Sequence, residues 1–147
     1  MLKGIPAILS PELLKILDEM GHGDEIVLAD GNFPAESVGQ RVVHCEMCGA
    51  LPLLKAILRL FPLDAFVSAP CALMEVASVD RYTPEIWPAY REAIQTAEGR
   101  AVEIEMMERF AFYERAKKAY AVIATGERAR YANIILKKGI IETGEEL

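Results

Sequence analysis

The 147-residue sequence lacks several features that would assign it to a common functional class. No run approaches the roughly 18 apolar residues that a membrane-spanning helix needs. The segment Met1–Pro6 is too short and too interrupted for a secretory signal. The net charge is −6 with no basic cluster, so nucleic acid is not an expected partner. Three cysteines are an odd number, which argues against a disulfide framework and favours a reducing, cytoplasmic location.

The common cofactor and nucleophile motifs are also missing. There is no G-x-G-x-x-G after a predicted strand, no phosphate-binding loop and no G-x-S-x-G elbow. Cys45 and Cys48 form a C-x-x-C beside His44, but no second ligand pair follows, and Cys71 is the one further thiol. We therefore expect no cofactor and no metal, with a thiol-based function of Cys45 and Cys48 as an alternative.

Apolar residues make up 52% of the chain, which predicts central buried strands and a buried oligomer surface. Helix-like and strand-like segments alternate over the whole length, without an internal repeat or a linker. This pattern predicts a single domain over residues 1–147. The predicted class is α/β, a three-layer-type sandwich with a mixed central sheet flanked by helices.

The boundaries follow from periodicity and from capping residues. The first helix should start at Ser10-Pro11-Glu12, because serine caps a helix and proline is tolerated in its first turn. Another helix should lie in the segment that starts at Thr83. Because proline disrupts the interior of a helix, we expect regular helix to begin only at Pro88. We expect further helices at 51–61 and 108–118 and a frayed acidic tail at 142–146. The predicted strands are 26–29, 41–45, 72–79, 101–106, 120–124 and 134–136.

His22 is the first candidate for chemistry. It lies between Gly21 and Gly23, where the first helix gives way to a strand, and its glycine neighbours leave the imidazole uncovered. Histidine titrates near neutral pH and can donate or accept a proton, although a helix-end contact is an alternative. Asp30 follows the same strand at its other end, in a loop.

Further polar candidates lie in two later stretches, around Arg109 and Tyr113 and around Tyr131 and Asn133. Each has a plainer interpretation. Arg109 could form an ion pair with Glu105 or Glu108, Tyr113 could lie at the surface of a helix, and the others could be turn and strand-edge residues. Together with His22 and Asp30 they supply an imidazole, a carboxylate, phenols, an amide and a guanidinium, which are typical of a sugar-binding site. Without a cofactor motif, they favour proton transfer by side chains alone.

Several segments, taken in order, are similar to a known family. They are residues 9–14, 20–26, 32–35, 109–116, 125–128 and 131–139. Through them nearly the whole chain resembles the L-fucose mutarotase branch of the ribose pyranase/fucose mutarotase family. The resemblance implies a cofactor-independent isomerase that interconverts the α and β anomers of L-fucose by opening and reclosing the ring. The chain departs from the family at His44–Gly49, where relatives tend to have Arg-Ala-Asp-Gly.

The resemblance also implies roles for individual residues. His22 would be the proton donor, with Tyr131 or Tyr113 as its catalytic partner. Because a free phenol is a weak base at neutral pH, the tyrosine would share its proton in concert or through water. The sugar would be bound by Asp30, Asp64, Met74, Arg109, Tyr131 and Asn133. The resemblance finally implies self-association into a toroidal homodecamer with sites between neighbouring subunits, which would use the surplus apolar surface.

The sequence leaves two other functions open. The first is pyranose–furanose interconversion of D-ribose. The aromatic residues Phe112 and Tyr113 favour the fucose branch over this function. The second is a non-catalytic sugar-binding accessory protein. Neither alternative has a membrane or a nucleic acid as partner.

Overall fold

The computed structural model describes residues 2–142, so the part of the acidic tail beyond residue 142 lies outside the described residues. The elements are, in order, α1 (Pro11–Glu19), β1 (Glu25–Ala29), α2 (Ala35–Val38), β2 (Val42–Cys45), α3 (Ala50–Ile57), β3 (Cys71–Met74), α4 (Ile86–Glu98), β4 (Ile104–Met107), α5 (Arg109–Lys118), β5 (Ala121–Thr125) and β6 (Ile134–Lys137). Within residues 2–142, no helix has the length and apolar character needed to cross a membrane.

The strands form one six-stranded mixed sheet in the order β2-β5-β1-β6-β3-β4. Parallel pairs join β1 to β5, β2 to β5 and β3 to β4, whereas β6 runs antiparallel to both of its neighbours, β1 and β3. The sheet therefore has a carboxyl end, where β1 finishes at Ala29 and β6 starts at Ile134. At its amino end, β1 starts at Glu25 and β6 finishes at Lys137.

Helices cover both faces of this sheet, as the expected three-layer sandwich requires. Alternate β1 residues point to opposite faces, and Ile26 and Leu28 pack in the larger core with α1, α3 and α4. Val27 and Ala29 pack in the second core against α5, which contributes Phe112. Because both faces of β1 are buried from Ile26 to Ala29, its sequence after Glu25 is an uninterrupted apolar run.

Some predicted boundaries are wrong. Helix α4 begins at Ile86, before Pro88. Backbone N–H groups in the first helical turn have no intrahelical acceptor, so a proline there costs the helix no hydrogen bond. Strand β3 ends at Met74 rather than at residue 79, and β4 begins at Ile104 rather than at 101. Helix α3 ends at Ile57, before the predicted residue 61, and the short α2 was not predicted. The predicted start of α1 is confirmed, since the Leu13 N–H donates to Ser10 Oγ at 3.1 Å.

A charged cluster fixes α5 over the amino end of the sheet. The Arg115 guanidinium donates two hydrogen bonds to the Glu25 carboxylate, from Nε at 2.9 Å and from Nη2 at 2.8 Å. It also donates to Glu105, and Lys137 pairs with Glu25 at 3.1 Å. Burial works to raise the pKa of Glu25, but Arg115 and Lys137 together hold that pKa below its ordinary value. The cluster thereby stabilises the position of the whole helix.

We predict that Glu25→Gln lowers the free energy of unfolding at neutral pH by about 2 kcal/mol, because Arg115 loses its ionised partner. The folded-state pKa of Glu25 lies below its ordinary value of 4.5, so its contribution is present above that value. The contribution is lost as the pH falls through the lower, folded-state pKa. Urea unfolding of both proteins from about pH 7 to about pH 3 measures the difference, and a constant difference would contradict the prediction.

Candidate functional site

A pocket of about 210 Å³ lies at the carboxyl end of the sheet. Six of the eight residues expected at the site line it: Asp30, Met74, Arg109, Tyr113, Tyr131 and Asn133. The topology of the sheet explains why these six residues lie together. Asp30 follows β1, Met74 ends β3 and Arg109 follows β4, while the reversed direction of β6 brings Tyr131 and Asn133 to the same end.

Asp30 and Asn133 form a buried pair at the pocket floor. The Asp30 N–H donates to Asn133 Oδ1 at 2.7 Å, and Asn133 Nδ2 donates back to Asp30 Oδ2 at 3.0 Å. The Asn32 N–H donates to the other carboxylate oxygen at 3.0 Å. Burial raises the pKa of Asp30 although these hydrogen bonds act against it. The carboxylate therefore has a fixed orientation, and its remaining acceptor capacity suits a ligand hydroxyl.

Tyr131 has an unusual backbone conformation. Its φ is 58°, and among the described residues it is the one non-glycine residue with positive φ. That conformation costs about 1 kcal/mol for an ordinary residue. Two side chains of α4 hold it: Trp87 Nε1–H donates to the Tyr131 carbonyl at 2.7 Å, and the Tyr90 hydroxyl donates to the Ala132 carbonyl at 2.8 Å. Tyr131 is thus both a turn residue and a pocket residue.

Helix α5 supplies Arg109 and Tyr113. The Glu108 carboxylate caps this helix by accepting from the Phe110 and Ala111 N–H groups at 2.8 and 3.1 Å, so Arg109 is the first helical residue. The Arg109 guanidinium lies over the Phe110 ring, 4.7 Å from its centroid. The glutamates considered as its ion-pair partners have other roles, since Glu108 caps α5 and Glu105 binds Arg115.

An aromatic wall faces these polar groups. Tyr113 packs edge-on against Phe33, with ring centroids 5.4 Å apart, and both residues line the pocket. Phe112, which was expected to favour fucose together with Tyr113, is fully buried in the core beneath α5. Tyr113 is therefore the residue of that pair that can contact a ligand.

His22 and Asp64 lie at the opposite, amino end of the sheet. The five-residue β1 separates His22 from Asp30, and a strand of this length spans about 17 Å. His22 Nε2 is 3.1 Å from Asp64 Oδ1, which also accepts the Phe66 N–H at 2.9 Å. Burial works to raise the pKa of Asp64, but the Phe66 N–H and the imidazole hold it below its ordinary value. Within one chain, the structure does not bring His22 and Asp64 to the pocket.

Sequence patterns carry little signal for two other pocket residues, Glu75 and Asp80. Glu75 fell within the predicted strand 72–79, and Asp80 lies outside every polar stretch considered above. Both follow the actual end of β3 at Met74. The early end of that strand frees the chain to turn toward the pocket, a contact that periodicity alone does not encode.

The C-x-x-C forms a turn outside this pocket. The Cys48 N–H donates to the Cys45 carbonyl at 2.9 Å, and the Gly126 N–H donates to the Cys48 carbonyl at the same distance. Burial, assisted by Cys48 and Glu46, raises the pKa of the Cys45 thiol to about 11. This disfavours the thiolate, which is the reactive and metal-binding form. The described residues 2–142 contain no group of three or more His, Cys, Asp or Glu side chains placed to hold a metal ion.

A concave pocket with carboxylates, an amide, guanidinium groups, phenols and an aromatic wall is typical of proteins that bind small polyhydroxylated molecules. The chain belongs to the RbsD / FucU transport protein family, whose sequence model matches residues 3–141.

Two relatives have similar sequences over almost their full length. The chain is 50% identical over 140 residues to the L-fucose mutarotase of Actinobacillus pleuropneumoniae serotype 5b (strain L20), covering 95% of this chain and 97% of that protein. It is also 50% identical over 147 residues to the fucose mutarotase of Homo sapiens, covering 95% and 94%. These similarities confirm the family resemblance inferred from the sequence.

Solved structures agree with the fold. The crystal structure of the fucose mutarotase from Streptococcus pneumoniae in complex with L-fucose has a TM-score of 0.92 and 49% identity, covering 96% of this chain and 100% of that one. Bacillus subtilis RbsD complexed with D-ribose has a TM-score of 0.70 at 23% identity, covering 97% and 100%, and shares the fold.

We predict that Trp87→Phe lowers the free energy of unfolding by about 1 kcal/mol, because the Tyr131 carbonyl loses its indole donor. Tyr90→Phe removes the adjacent bond to the Ala132 carbonyl and should cost a similar amount. Urea unfolding at neutral pH measures both, and two-dimensional NMR should locate the shift changes at residues 131–133. An unchanged unfolding free energy in Trp87→Phe would show that its hydrogen bond does not support the loop.

Proposed function

We propose that this chain is a mutarotase that interconverts the α and β anomers of L-fucose without a cofactor. The observation that carries the proposal is the 50% identity, over 95% of the chain, to proteins called L-fucose mutarotase. The structural neighbour in complex with L-fucose supports the same sugar. The chemistry of the pocket adds support, because its groups suit hydroxyl recognition on one side and an apolar sugar face on the other.

The pocket residues divide into two roles in this proposal. Asp30, Asn133 and Arg109 bind sugar hydroxyls and set the orientation of the ring. Met74, with the rings of Tyr113 and Phe33, packs against carbon–hydrogen surface, including the methyl group that distinguishes fucose from a hydroxymethyl sugar. The wall of the pocket thereby selects the sugar, and its floor aligns the anomeric centre.

Ring opening needs one proton delivered to the ring oxygen and another removed from the anomeric hydroxyl. We assign the delivery to His22, because an imidazole can both donate and accept a proton. Asp64 accepts from its Nε2 and orients the ring, so Asp64 acts through His22 rather than from the pocket floor. Tyr131 or Tyr113 receives the hydroxyl proton. Rotation about C1–C2 of the open aldehyde and reclosure then exchange the anomers.

His22 and the pocket lie at opposite ends of the sheet, so we propose that the site is completed by His22 of a neighbouring copy. The His22 side chain is 45% exposed beside Phe66, which is 70% exposed. Apolar side chains are also exposed beside the pocket, where Phe110 is 61% and Val79 is 92% exposed. Contact between these two ends is head-to-tail, and a head-to-tail contact gives a ring when the rotation between copies closes and a filament when it does not. A closed ring agrees with the shared sites that the family resemblance implies, and the proposed number of ten copies rests on that resemblance.

Two less specific assignments complete the proposal. We propose that residues 1–147 form a single domain, since the sheet joins elements from β1 near the start to β6 near the end. We also propose a cytoplasmic location, because Cys45, Cys48 and Cys71 are free thiols of the kind that a reducing compartment maintains.

We predict that His22→Gln abolishes the acceleration of L-fucose anomer exchange, with a loss of at least about 100-fold, because the acid is missing. NMR exchange between the two anomeric protons at neutral pH measures the rate. The matched control is His44→Gln, which removes the chain's other histidine, an exposed side chain between Glu36 and Glu46. Full activity of His22→Gln would refute the assignment. If the protein accelerates the interconversion of D-ribose but not of L-fucose, it is a pyranase. If it binds sugar without accelerating either reaction, it is a binding protein.

The shared site makes a second prediction. His22→Gln and the double variant Tyr113→Phe/Tyr131→Phe should each be inactive alone. In oligomers formed from equal amounts of both, about one quarter of the sites combine an intact pocket with an intact neighbouring histidine, so about a quarter of the activity should return. Co-expression with two tags and native mass spectrometry provide the mixed oligomers. A mixture as inactive as its components would contradict the shared site.

A further inference from the structure

Asp80 lines the pocket and contacts one of the two tyrosines proposed for proton transfer. The Tyr131 hydroxyl donates to Asp80 Oδ2 at 3.0 Å. We propose that Asp80 is a positioning residue that directs the Tyr131 proton away from the sugar and receives it during ring opening. This inference rests on the proposed mutarotase function and selects Tyr131, rather than Tyr113, as the partner of His22.

The Asp80 carboxylate is held in place from several directions. The Asp80 N–H donates to the Ala77 carbonyl at 2.8 Å, and the Tyr82 N–H donates to Asp80 Oδ1 at 3.2 Å. Arg130 Nη1 donates to Oδ2 at 2.9 Å, the same oxygen that accepts from Tyr131. These contacts leave the carboxylate little freedom to turn away from the phenol.

The Tyr131 ring is fixed as firmly as its acceptor. Tyr82 stacks on it with ring centroids 6.1 Å apart and an interplanar angle of 27°. The Arg130 guanidinium lies over Tyr82, 4.2 Å from the ring centroid. Trp87 holds the Tyr131 carbonyl from the backbone side. Because Tyr131 cannot swing freely, its hydroxyl and Asp80 meet in one geometry.

This geometry determines what Tyr131 can offer to a sugar. A hydroxyl has one proton, and an ionised carboxylate can only accept. With that proton directed to Asp80, the phenol oxygen can face the pocket only as an acceptor, and the Ala77 N–H also lies 3.4 Å from it. A sugar hydroxyl bound there must therefore donate, which is the orientation needed to remove the anomeric proton.

The proton transfers then balance without a phenolate. The C1–O5 bond breaks, its electron pair goes to O5, and O5 takes a proton from His22 of the neighbouring copy. The anomeric proton passes to the Tyr131 oxygen as the phenol proton passes to Asp80, and the released O–H electron pair forms the C1=O bond. Tyr131 is neutral before and after the step. Ring closure on either face reverses every transfer.

A purely structural role is the alternative, in which the Asp80–Arg130 ion pair only ties two loops together. A double-mutant cycle separates the two roles, because residues that act through one another are not additive. Asp80→Asn keeps the size of the side chain but removes the carboxylate. Tyr131→Phe removes the hydroxyl through which Asp80 is proposed to act.

We expect Asp80→Asn to lower kcat for L-fucose anomer exchange by at least about 10-fold with KM changed less than about 2-fold. In the Tyr131→Phe background the same change should have no further effect. Arg130→Gln, which breaks the ion pair but leaves the carboxylate, should lower kcat less than Asp80→Asn does. The proposal would be overturned if Asp80→Asn lowers kcat equally in the wild-type and Tyr131→Phe backgrounds. It would also be overturned if Arg130→Gln lowers kcat as much as Asp80→Asn does, or if Asp80→Asn raises KM at constant kcat.

The activity of the wild-type protein distinguishes failure of the proposed role of Asp80 from failure of the proposed function. If it does not accelerate L-fucose exchange, the mutarotase function itself is wrong. The contact is then tested by NMR of protein labelled with ¹³C at tyrosine Cζ, where Asp80→Asn should shift the Tyr131 resonance; an unmoved resonance would overturn the contact as well. Thermal unfolding and native mass spectrometry verify that each variant is folded and assembled.

Discussion

The single reversed strand is the constraint on which the site depends. If β6 ran parallel to its neighbours, the loop before it would lie at the amino end of the sheet, far from the ends of β1 and β3. Because β6 runs antiparallel between them, Tyr131 and Asn133 emerge beside Asp30 and Met74. The hydrogen bonds of Asn133 to the Asp30 carboxylate and N–H then fix this meeting point. One strand direction thus assembles a pocket from segments distant in the sequence.

The groups gathered there are held at a cost to stability. Burial raises the pKa of Asp30, so ionisation is less favourable in the folded chain than in the unfolded one, and this opposes folding at neutral pH. Tyr131 adds a left-handed backbone, which Trp87 and Tyr90 hold from α4. In return, the pocket side chains have fixed orientations, and a preorganised site loses less entropy when it binds its ligand. The compensation comes from elsewhere, notably the two cores and the Glu25–Arg115 pair that secures α5.

The two ends of the sheet have different chemical characters. The carboxyl end offers acceptors, a guanidinium and aromatic surface, whereas the amino end offers an imidazole oriented by a carboxylate. In the proposed mechanism, proton donation by His22 and sugar binding are therefore separated within one chain by the length of β1. In the proposed assembly, contact between copies unites them, so the same apolar side chains that close the ring also bring the acid to the sugar. Assembly and activity would then depend on one interface.

Local physical rules let the sequence by itself determine the α/β class, the capped start of α1 and the buried β1. Helical periodicity, serine capping and apolar runs act over a few neighbouring residues, and they located most elements to within a few positions. The polar stretches also indicated five pocket residues together with His22, and the family resemblance added Met74. Only the tertiary structure decided that β6 is reversed, that β3 stops at Met74 and that His22 faces away from the pocket. It also paired Asp80 with Tyr131, 51 residues later in the chain. Such contacts depend on strand order and direction, and these are set by packing between distant segments, which no local pattern encodes.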